Sequence, residues 1–197
     1  MFVSFEGIDG SGKSTQAELL ASALREEGRR VVAVREPGGT ELGERIRALL
    51  LEGAAMSAWS EAALFAAARA ELVEEVIAPA LRDGAFVVCD RYVDSSLAYQ
   101  GIARGLGVAR VLELNLNATG GLLPDRTFLV LLDPEEAAPR SGDPDRIERE
   151  GIAFQRAVDA AYRELAERFP ERITTLDGVR PPDEIAKEVR DELRALA

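Results

Sequence analysis

The chain has 197 residues, of which 47% are apolar and 30% are charged, a composition typical of one compact globular domain and not of a disordered chain. The formal net charge of −11 argues against broad binding to nucleic acids or anionic membranes. Histidine is absent and Cys89 is the single cysteine, which excludes an imidazole base, a histidine-bound metal, a zinc cluster and an internal disulfide.

A cytoplasmic protein without a membrane segment is expected from the same residues. The first residues, Met1–Glu6, lack the basic and long apolar regions of a signal peptide. The most alanine-rich stretch is interrupted by charged residues from Arg69 to Glu75 and cannot span a bilayer. A lone cysteine also fits a reducing compartment.

Short apolar runs alternate along the chain with longer amphipathic ones. The short runs are predicted to be buried strands: Phe2–Phe5, Val31–Val34, Phe86–Cys89, Thr127–Leu132 and Ile173–Leu176. The long runs are predicted to be helices: Ser14–Glu27, Glu41–Glu52, Glu61–Arg82, Val108–Ala118, Arg146–Phe169 and Asp183–Leu196. This alternation predicts an α/β fold, with a five-stranded parallel sheet and helices on both faces. Functional residues are therefore expected in the loops after the strands.

The first of these loops matches the phosphate-binding P-loop pattern GxxxxGK[ST] in full. Its glycines let successive N–H groups point at an anion, and the helix that follows adds its positive end. Lys13, one of two lysines in the chain, can reach the β- and γ-phosphates, and the Ser14 hydroxyl can bind Mg²⁺. A flexible glycine turn is the alternative, but the motif lies between a strand and a helix. The predicted nucleotide-binding residues are Gly7, Asp9, Gly10, Ser11, Gly12, Lys13, Ser14 and Thr15.

The loop after the third strand begins Asp90-Arg91-Tyr92. An aspartate at the end of a strand beside the P-loop suits contact with Mg²⁺, directly or through water. Arg91 replaces the glutamate that would polarise a hydrolytic water, and it indicates a second anion beside the γ-phosphate. The alternative is an Asp–Arg pair that only caps the strand end. A G-protein is excluded, because neither Asn115 nor Asn117 precedes a lysine.

These features favour phosphoryl transfer to a bound acceptor. An acceptor that is itself a phosphate, with a second pKa near 6, is already an anion at pH 7 and needs no general base. Catalysis is then mainly positioning and charge neutralisation by Mg²⁺, Lys13 and arginines. A chain with many arginines and no histidine therefore suits a nucleoside-monophosphate kinase.

The sequence resembles the thymidylate kinase (dTMP kinase) family over nearly its whole length. Five segments in this order carry the resemblance: Phe5-Glu6-Gly7-Ile8-Asp9-Gly10 with the P-loop, Arg35-Glu36-Pro37-Gly38-Gly39-Thr40, Leu64-Phe65-Ala66-Ala67-Ala68-Arg69-Ala70, Asp90-Arg91-Tyr92 with Ser95-Ser96-Leu97-Ala98-Tyr99-Gln100-Gly101, and Asp145-Arg146-Ile147-Glu148. The resemblance implies ATP as donor, dTMP as acceptor, Mg²⁺ as cofactor and a homodimer, with no nucleic-acid or membrane partner.

The resemblance also implies roles for individual residues. Phe65 matches the ring that stacks on thymine, and Arg69 matches the arginine that binds a base carbonyl. Contacts to the base are implied for Ser96 and Gln100, exclusion of a ribose 2′-hydroxyl for Tyr99, proximity to the sugar for Asp9 and Glu36, and contacts to phosphate for Arg47 and Arg91. The alternatives from the local pattern are that Phe65 is a core residue and that Arg47 is a solvated helix charge.

Residues 137–149 are predicted to form a short lid over ATP within a single domain of residues 1–197. The P-loop contains no arginine, so the resemblance implies that the lid supplies the catalytic one, as in the bacterial type. Arg140 and Arg146 are the candidates, with Arg149 behind them. Two other hypotheses remain open at this point: another nucleoside or nucleotide kinase on the same scaffold, and a non-catalytic nucleotide sensor.

Overall fold

The structure, a computed structural model, describes residues 1–140 and 144–195. Its centre is a sheet of five parallel strands: β1 (Phe2–Glu6), β2 (Val31–Arg35), β3 (Phe86–Asp90), β4 (Arg126–Leu131) and β5 (Ile173–Asp177). The strand order is β2-β3-β1-β4-β5. Connections leave β1 and β3 toward opposite edges, so the loops after these two strands meet at the switch point where such sheets bind ligands. The predicted α/β sheet is confirmed.

Helices cover both faces of this sheet. In chain order they are α1 (Lys13–Glu26), α2 (Glu41–Leu51), α3 (Ala58–Leu72), α4 (Ala78–Arg82), α5 (Val93–Ser96), α6 (Val108–Ala118), α7 (Pro134–Ala137), α8 (Ile152–Arg168) and α9 (Pro182–Ala195). Thr40 and Ser57 cap α2 and α3, because their hydroxyl oxygens accept the N–H groups of Gly43 and Ser60. No helix in the described ranges is both long and apolar enough to cross a bilayer.

The two faces of the sheet bury separate cores. Val3 and Phe5 of β1 pack with apolar residues of α1 and α9 on one face. Phe2, on the opposite face, packs with residues of α3, α6 and α8. Apolar residues on both sides of the central strands follow from a sheet buried on both faces. This second face also holds buried polar side chains, including Glu6.

Two predicted helices had wrong bounds, and one helical segment was not predicted. The stretch Glu61–Arg82 is not one α-helix, because the π-helical turn Val73–Ile77 separates α3 from α4. The helix predicted from Arg146 starts at Ile152, because Gly151 has a φ of +86° and only a short 3₁₀ turn, Glu148–Glu150, precedes it. No helix was predicted over Val93–Ala103, where α5 continues into the π-helical segment Leu97–Ala103.

The predicted lid, residues 137–149, is only partly within the described ranges. Ala137 ends α7, and a 3₁₀ turn, Ala138–Arg140, follows it. Residues 141–143 lie outside the described ranges. Arg146 N–H donates to the carbonyl of Leu51, which joins the end of this segment to the end of α2. Its function as a lid stays a prediction.

Candidate active site

The P-loop lies between β1 and α1 and leaves an open cradle at its centre. Gly10 and Gly12 have φ values of +79° and +98°, a region that L side chains rarely adopt. A Cβ at Gly10 would collide with the carbonyl of Ala137, whereas nothing lies within 4 Å of a Cβ built at Gly12. Gly7 lies behind the cradle, where its missing Cβ allows close approach to the Val130 carbonyl, 2.5 Å from the Cβ position. Gly7 thus packs the loop against β4 and does not line a pocket.

Asp9 joins the two cations nearest the cradle. Its Oδ1 is 3.1 Å from Lys13 Nζ and 2.6 Å from an Arg91 guanidinium nitrogen. Burial raises the pKa of Asp9, but the charges of Arg91 and Lys13 outweigh burial and hold this pKa well below its usual range. Arg91 has a φ of +68°, an uncommon conformation for a non-glycine residue. The ion pair with Asp9 therefore holds Lys13 and Arg91 side by side.

A second layer of polar residues holds Arg91 from behind. Arg91 Nη1 lies 3.2 Å from both Ser95 Oγ and Tyr162 Oη. Both hydroxyl groups reach the Glu6 carboxylate, at 2.6 and 2.9 Å, and Tyr92 N–H also donates to Glu6, at 2.7 Å. Burial, with the neighbouring Asp94, raises the pKa of Glu6 to about 7. Neither Glu6 nor Tyr162 was predicted to belong to the site, although a carboxylate that ends a buried strand beside a P-loop is a detectable signal.

A cavity of about 260 Å³ lies beside the P-loop, at the carboxyl ends of β2 and β3. Nearly all of the predicted acceptor residues line it: Asp9, Glu36, Arg47, Phe65, Arg91, Ser96, Tyr99 and Gln100, together with Lys13, Ser14 and Asp90. Arg35 also lines the cavity and was not predicted to. Burial, followed by the charge of Arg35, lowers the pKa of Arg47. Arg35 and Arg47 thus place two like charges at one end of the cavity, and a bound anion there would relieve their repulsion. We call this cavity the acceptor pocket.

A second cavity, of about 560 Å³, lies on the other side of the P-loop. P-loop residues Gly10, Ser11, Gly12, Lys13, Ser14 and Thr15 line it, as do Arg140 and residues 178–182. Lys13 and Ser14 belong to both cavities. Two ligands that filled the cavities would therefore meet at these two side chains. We call this cavity the donor pocket.

Arg69 is not on the wall of the acceptor pocket, contrary to the predicted contact with a base. It is 1% exposed, and protein acceptors take all five of its N–H groups. Its Nε and Nη2 bind the Glu36 carboxylate at distances from 2.5 to 3.0 Å, and the other acceptors are Ser96 Oγ, Asn115 Oδ1 and the Tyr92 carbonyl. Burial opposes the charged form, but Glu36 raises the pKa of Arg69 above its usual value. Arg69 holds two pocket residues, Glu36 and Ser96, from behind.

Arg146, the other arginine predicted to reach the phosphates from the lid, does not line either pocket. Its Nε donates to the Leu50 carbonyl at 2.7 Å, and its Nη2 lies 2.6 Å from Glu61 Oε2. It lines neither pocket, because the buried Glu61 carboxylate attracts it to α3. Arg149 is exposed and lines neither pocket. Arg140 is the predicted lid arginine that lines the donor pocket.

Comparison with known proteins assigns the chain to a family. A family model described as "Thymidylate kinase" matches residues 5–189. The chain belongs to the thymidylate kinase family. A thymidylate kinase of Symbiobacterium thermophilum is 49% identical over 96% of this chain and 91% of its own length. One from Deinococcus radiodurans is 44% identical over 96% of this chain and 94% of its own length.

A solved structure agrees with this family assignment. The crystal structure of thymidylate kinase from Ehrlichia chaffeensis has a TM-score of 0.83 and is 34% identical, and the alignment covers 98% of each chain. The likeness therefore extends over nearly the whole of both chains. Membership in the thymidylate kinase family, implied by the sequence, is confirmed.

Proposed function

We propose that the protein transfers the γ-phosphoryl group of ATP to dTMP, which yields ADP and dTDP for the synthesis of DNA precursors. One observation carries this proposal: the two pockets share Lys13 and Ser14, so a donor and an acceptor can meet end to end across the P-loop. Membership in the thymidylate kinase family supports the identity of both nucleotides.

The chemistry requires little beyond positioning and neutralisation of charge. A phosphate oxygen of dTMP attacks the γ-phosphorus while the bond to the β,γ-bridging oxygen breaks, and ADP takes the electron pair of that bond. The attacking oxygen is already ionised at neutral pH, so no general base is needed. Lys13 lines both pockets, and Asp9 holds Arg91 of the acceptor pocket beside it, so both cations would neutralise the charge of the transferred group.

The rest of the acceptor pocket suits a deoxynucleoside. Arg47 and Arg35 supply positive charge for the acceptor phosphate, and Phe65 offers an aromatic face for the base. Ser96 and Gln100 offer polar groups for the edge of the base, and the Tyr99 ring and Glu36 lie where the sugar would fit. These roles remain proposals for each of the residues.

Mg²⁺ fits the residues between the pockets. Asp90 Oδ1 is buried and has no hydrogen-bond partner among the described residues, and the exposed Ser14, in the first turn of α1, lines the acceptor pocket together with Asp90. No group of three acidic, histidine or cysteine residues that could hold a metal ion lies within ranges 1–140 and 144–195, which agrees with an ion held mainly by phosphates and water. Asp90 and the Ser14 hydroxyl would hold the ion. Bound there, Mg²⁺ would neutralise charge on the β- and γ-phosphates.

The acceptor experiment tests the proposal against another nucleotide kinase and against a nucleotide sensor. With ATP as donor, ADP release is expected to be fastest with dTMP among dTMP, dUMP, dCMP, AMP and GMP. A sensor has no need of the arginines that line a second anion pocket, and it would release no ADP with any acceptor. Activity confined to an acceptor without thymine would contradict the proposed substrate.

Paired substitutions separate the two arginines predicted for the lid. Arg140→Ala is expected to lower kcat about 10²-fold, because it removes a cation from the donor pocket. Arg146→Ala is expected to leave kcat within a few-fold but to lower the free energy of unfolding by about 1–3 kcal/mol, because buried Glu61 loses a charged donor. Steady-state ADP release and thermal unfolding measure both effects. The opposite pattern would assign the donor site to Arg146.

We also propose that the protein is a cytoplasmic homodimer. Leu42 and Leu49 of α2 and Trp59 of α3 are 45%, 55% and 37% exposed, which is unusual for large apolar side chains and supports an isologous contact between two copies. The one cysteine, Cys89, is a buried free thiol, which suits a reducing compartment. Sedimentation equilibrium would detect the dimer, and a monomer at micromolar concentration would contradict it.

A further inference from the structure

One face of α3 packs against the part of the acceptor pocket that Ser96 and Gln100 line. Glu61, Phe65 and Arg69 are four residues apart and so share a helix face. Phe65 lines the pocket, whereas Glu61 and Arg69 are each 1% exposed and lie behind it. Each of the two buried charges binds a pocket residue for which a contact with the base is proposed: Arg69 binds Ser96, and Glu61 binds Gln100.

The Glu61 carboxylate is surrounded by donors. Its Oε1 accepts from Gln100 Nε2 at 2.9 Å and from Arg104 Nε at 3.1 Å, and its Oε2 lies 2.6 Å from Arg146 Nη2. Burial raises the pKa of Glu61, but hydrogen bonds from Arg104, Arg146 and Gln100 outweigh burial, and this pKa lies below its usual value. Glu61 is therefore ionised at neutral pH and can only accept hydrogen bonds.

This carboxylate determines which end of the Gln100 amide faces the pocket. An amide carries donors on its nitrogen and lone pairs on its oxygen, so an ionised partner takes the nitrogen. Oε1 is thereby left for a ligand in the acceptor pocket, which Gln100 lines. Arg69 acts in the complementary sense on Ser96, because it donates to Oγ and leaves the hydroxyl hydrogen for another acceptor. The pocket wall thus offers one acceptor and one donor.

We propose that Glu61 is a positioning residue for base specificity, since it holds the Gln100 amide with Oε1 toward the base to accept a ring N–H. The inference rests on the proposed placement of the base beside Gln100. The N3–H of thymine or uracil fits this acceptor, and the neighbouring carbonyl fits the Ser96 hydroxyl. Cytosine presents a lone pair at N3, which would face Oε1 without a hydrogen, and a site built for a hydrogen bond strongly rejects such an analogue.

The test is Glu61→Gln, with kcat/KM measured for dTMP, dUMP and dCMP. A neutral amide at position 61 can donate as well as accept, so Gln100 is free to turn its nitrogen toward the base. The ratio of kcat/KM for dTMP to that for dCMP is expected to fall at least 10-fold. The ratio for dTMP to dUMP should stay within 2-fold of the parent value, because both bases carry N3–H. Selectivity ratios do not depend on the fraction of folded enzyme, so a merely structural role would not change them.

Glu150→Gln is the matched control, because Glu150 also binds Arg104 but does not contact Gln100. Glu150→Gln should keep the parent ratio of dTMP to dCMP. Glu61→Asp retains the negative charge, so its ratio should lie close to that of the parent. If Glu61→Gln fails to fold, Glu61→Gln/Arg104→Gln removes one cation with the anion and has the same readout.

An unchanged ratio of dTMP to dCMP in a folded variant would overturn the inference while leaving the proposed function intact. A parent enzyme that does not prefer dTMP to dCMP would instead contradict the proposed function.

Discussion

Replacing Lys13 with alanine is expected to lower kcat by about 10²–10³-fold, in line with the loss of one preorganised charge donor at a transition state. Lys13 lies where the two pockets meet, and Asp9 holds its ammonium group in place at 3.1 Å. In the proposed mechanism the ammonium group would lie between the phosphates of the two nucleotides, so its loss should lower kcat more than it weakens the binding of either nucleotide. Coupled ADP release with saturating ATP and dTMP measures the effect.

The chain provides a matched control for this substitution, because its other lysine, Lys187, is exposed on α9. Lys187→Ala removes the same chemical group from outside both pockets and should leave kcat unchanged. Thermal unfolding of both variants would show whether folding contributes to the loss. Turnover by Lys13→Ala equal to that of the parent would rule out the proposed mechanism.

Arg69→Met is expected to have the largest effect on stability, a loss of about 3–5 kcal/mol, because it leaves a buried carboxylate without its charged partner. Glu36 is 6% exposed, and Arg69 is the residue that neutralises it. The Asn115 amide oxygen, the Ser96 hydroxyl and the Tyr92 carbonyl would also lose a donor. For a chain of this length the loss corresponds to a decrease in Tm of roughly 6–20 °C.

Two comparisons make the stability measurement specific. Arg163→Met removes an exposed arginine of α8 that pairs with Asp159, and a loss of only about 0.3–0.5 kcal/mol is expected. Arg69→Met/Glu36→Gln removes both charges, so part of the stability should return. A Tm for Arg69→Met within 2 °C of the parent would contradict the role given to this ion pair. Loss of dTMP kinase activity in Arg69→Met would not by itself demonstrate a contact with thymine, because Ser96 and Glu36 would move as well.

Structural features that depend only on residues close together in the sequence were predictable from the sequence. The P-loop needs only glycines, Lys13 and Ser14 at fixed spacing between a strand and a helix, and its place at the end of β1 followed from that pattern. The five strands were recognisable because strands buried on both faces are almost continuously apolar. Phe65 lines the acceptor pocket, but the local pattern alone could not distinguish a core residue from a pocket residue.

The helix over Val93–Ala103 was missed because its stability comes from distant partners. Its residues form no regular apolar stripe, and neither α5 nor the π-helical segment that follows begins with a side-chain cap. Ser95 instead donates to Glu6, Ser96 accepts from Arg69, and Gln100 donates to Glu61. Tertiary hydrogen bonds of this kind outweigh local helix propensity.

The orientations of the Arg69 and Arg146 side chains likewise depend on the tertiary structure. Each arginine belongs to a motif of the family, and each was a reasonable candidate for contact with a nucleotide. In the folded chain a buried carboxylate lies within reach of each one, Glu36 for Arg69 and Glu61 for Arg146. A buried carboxylate is costly unless it is paired, so it attracts the nearest guanidinium group away from the pocket. These partners are 33 and 85 residues apart along the chain, and only folding brings them together.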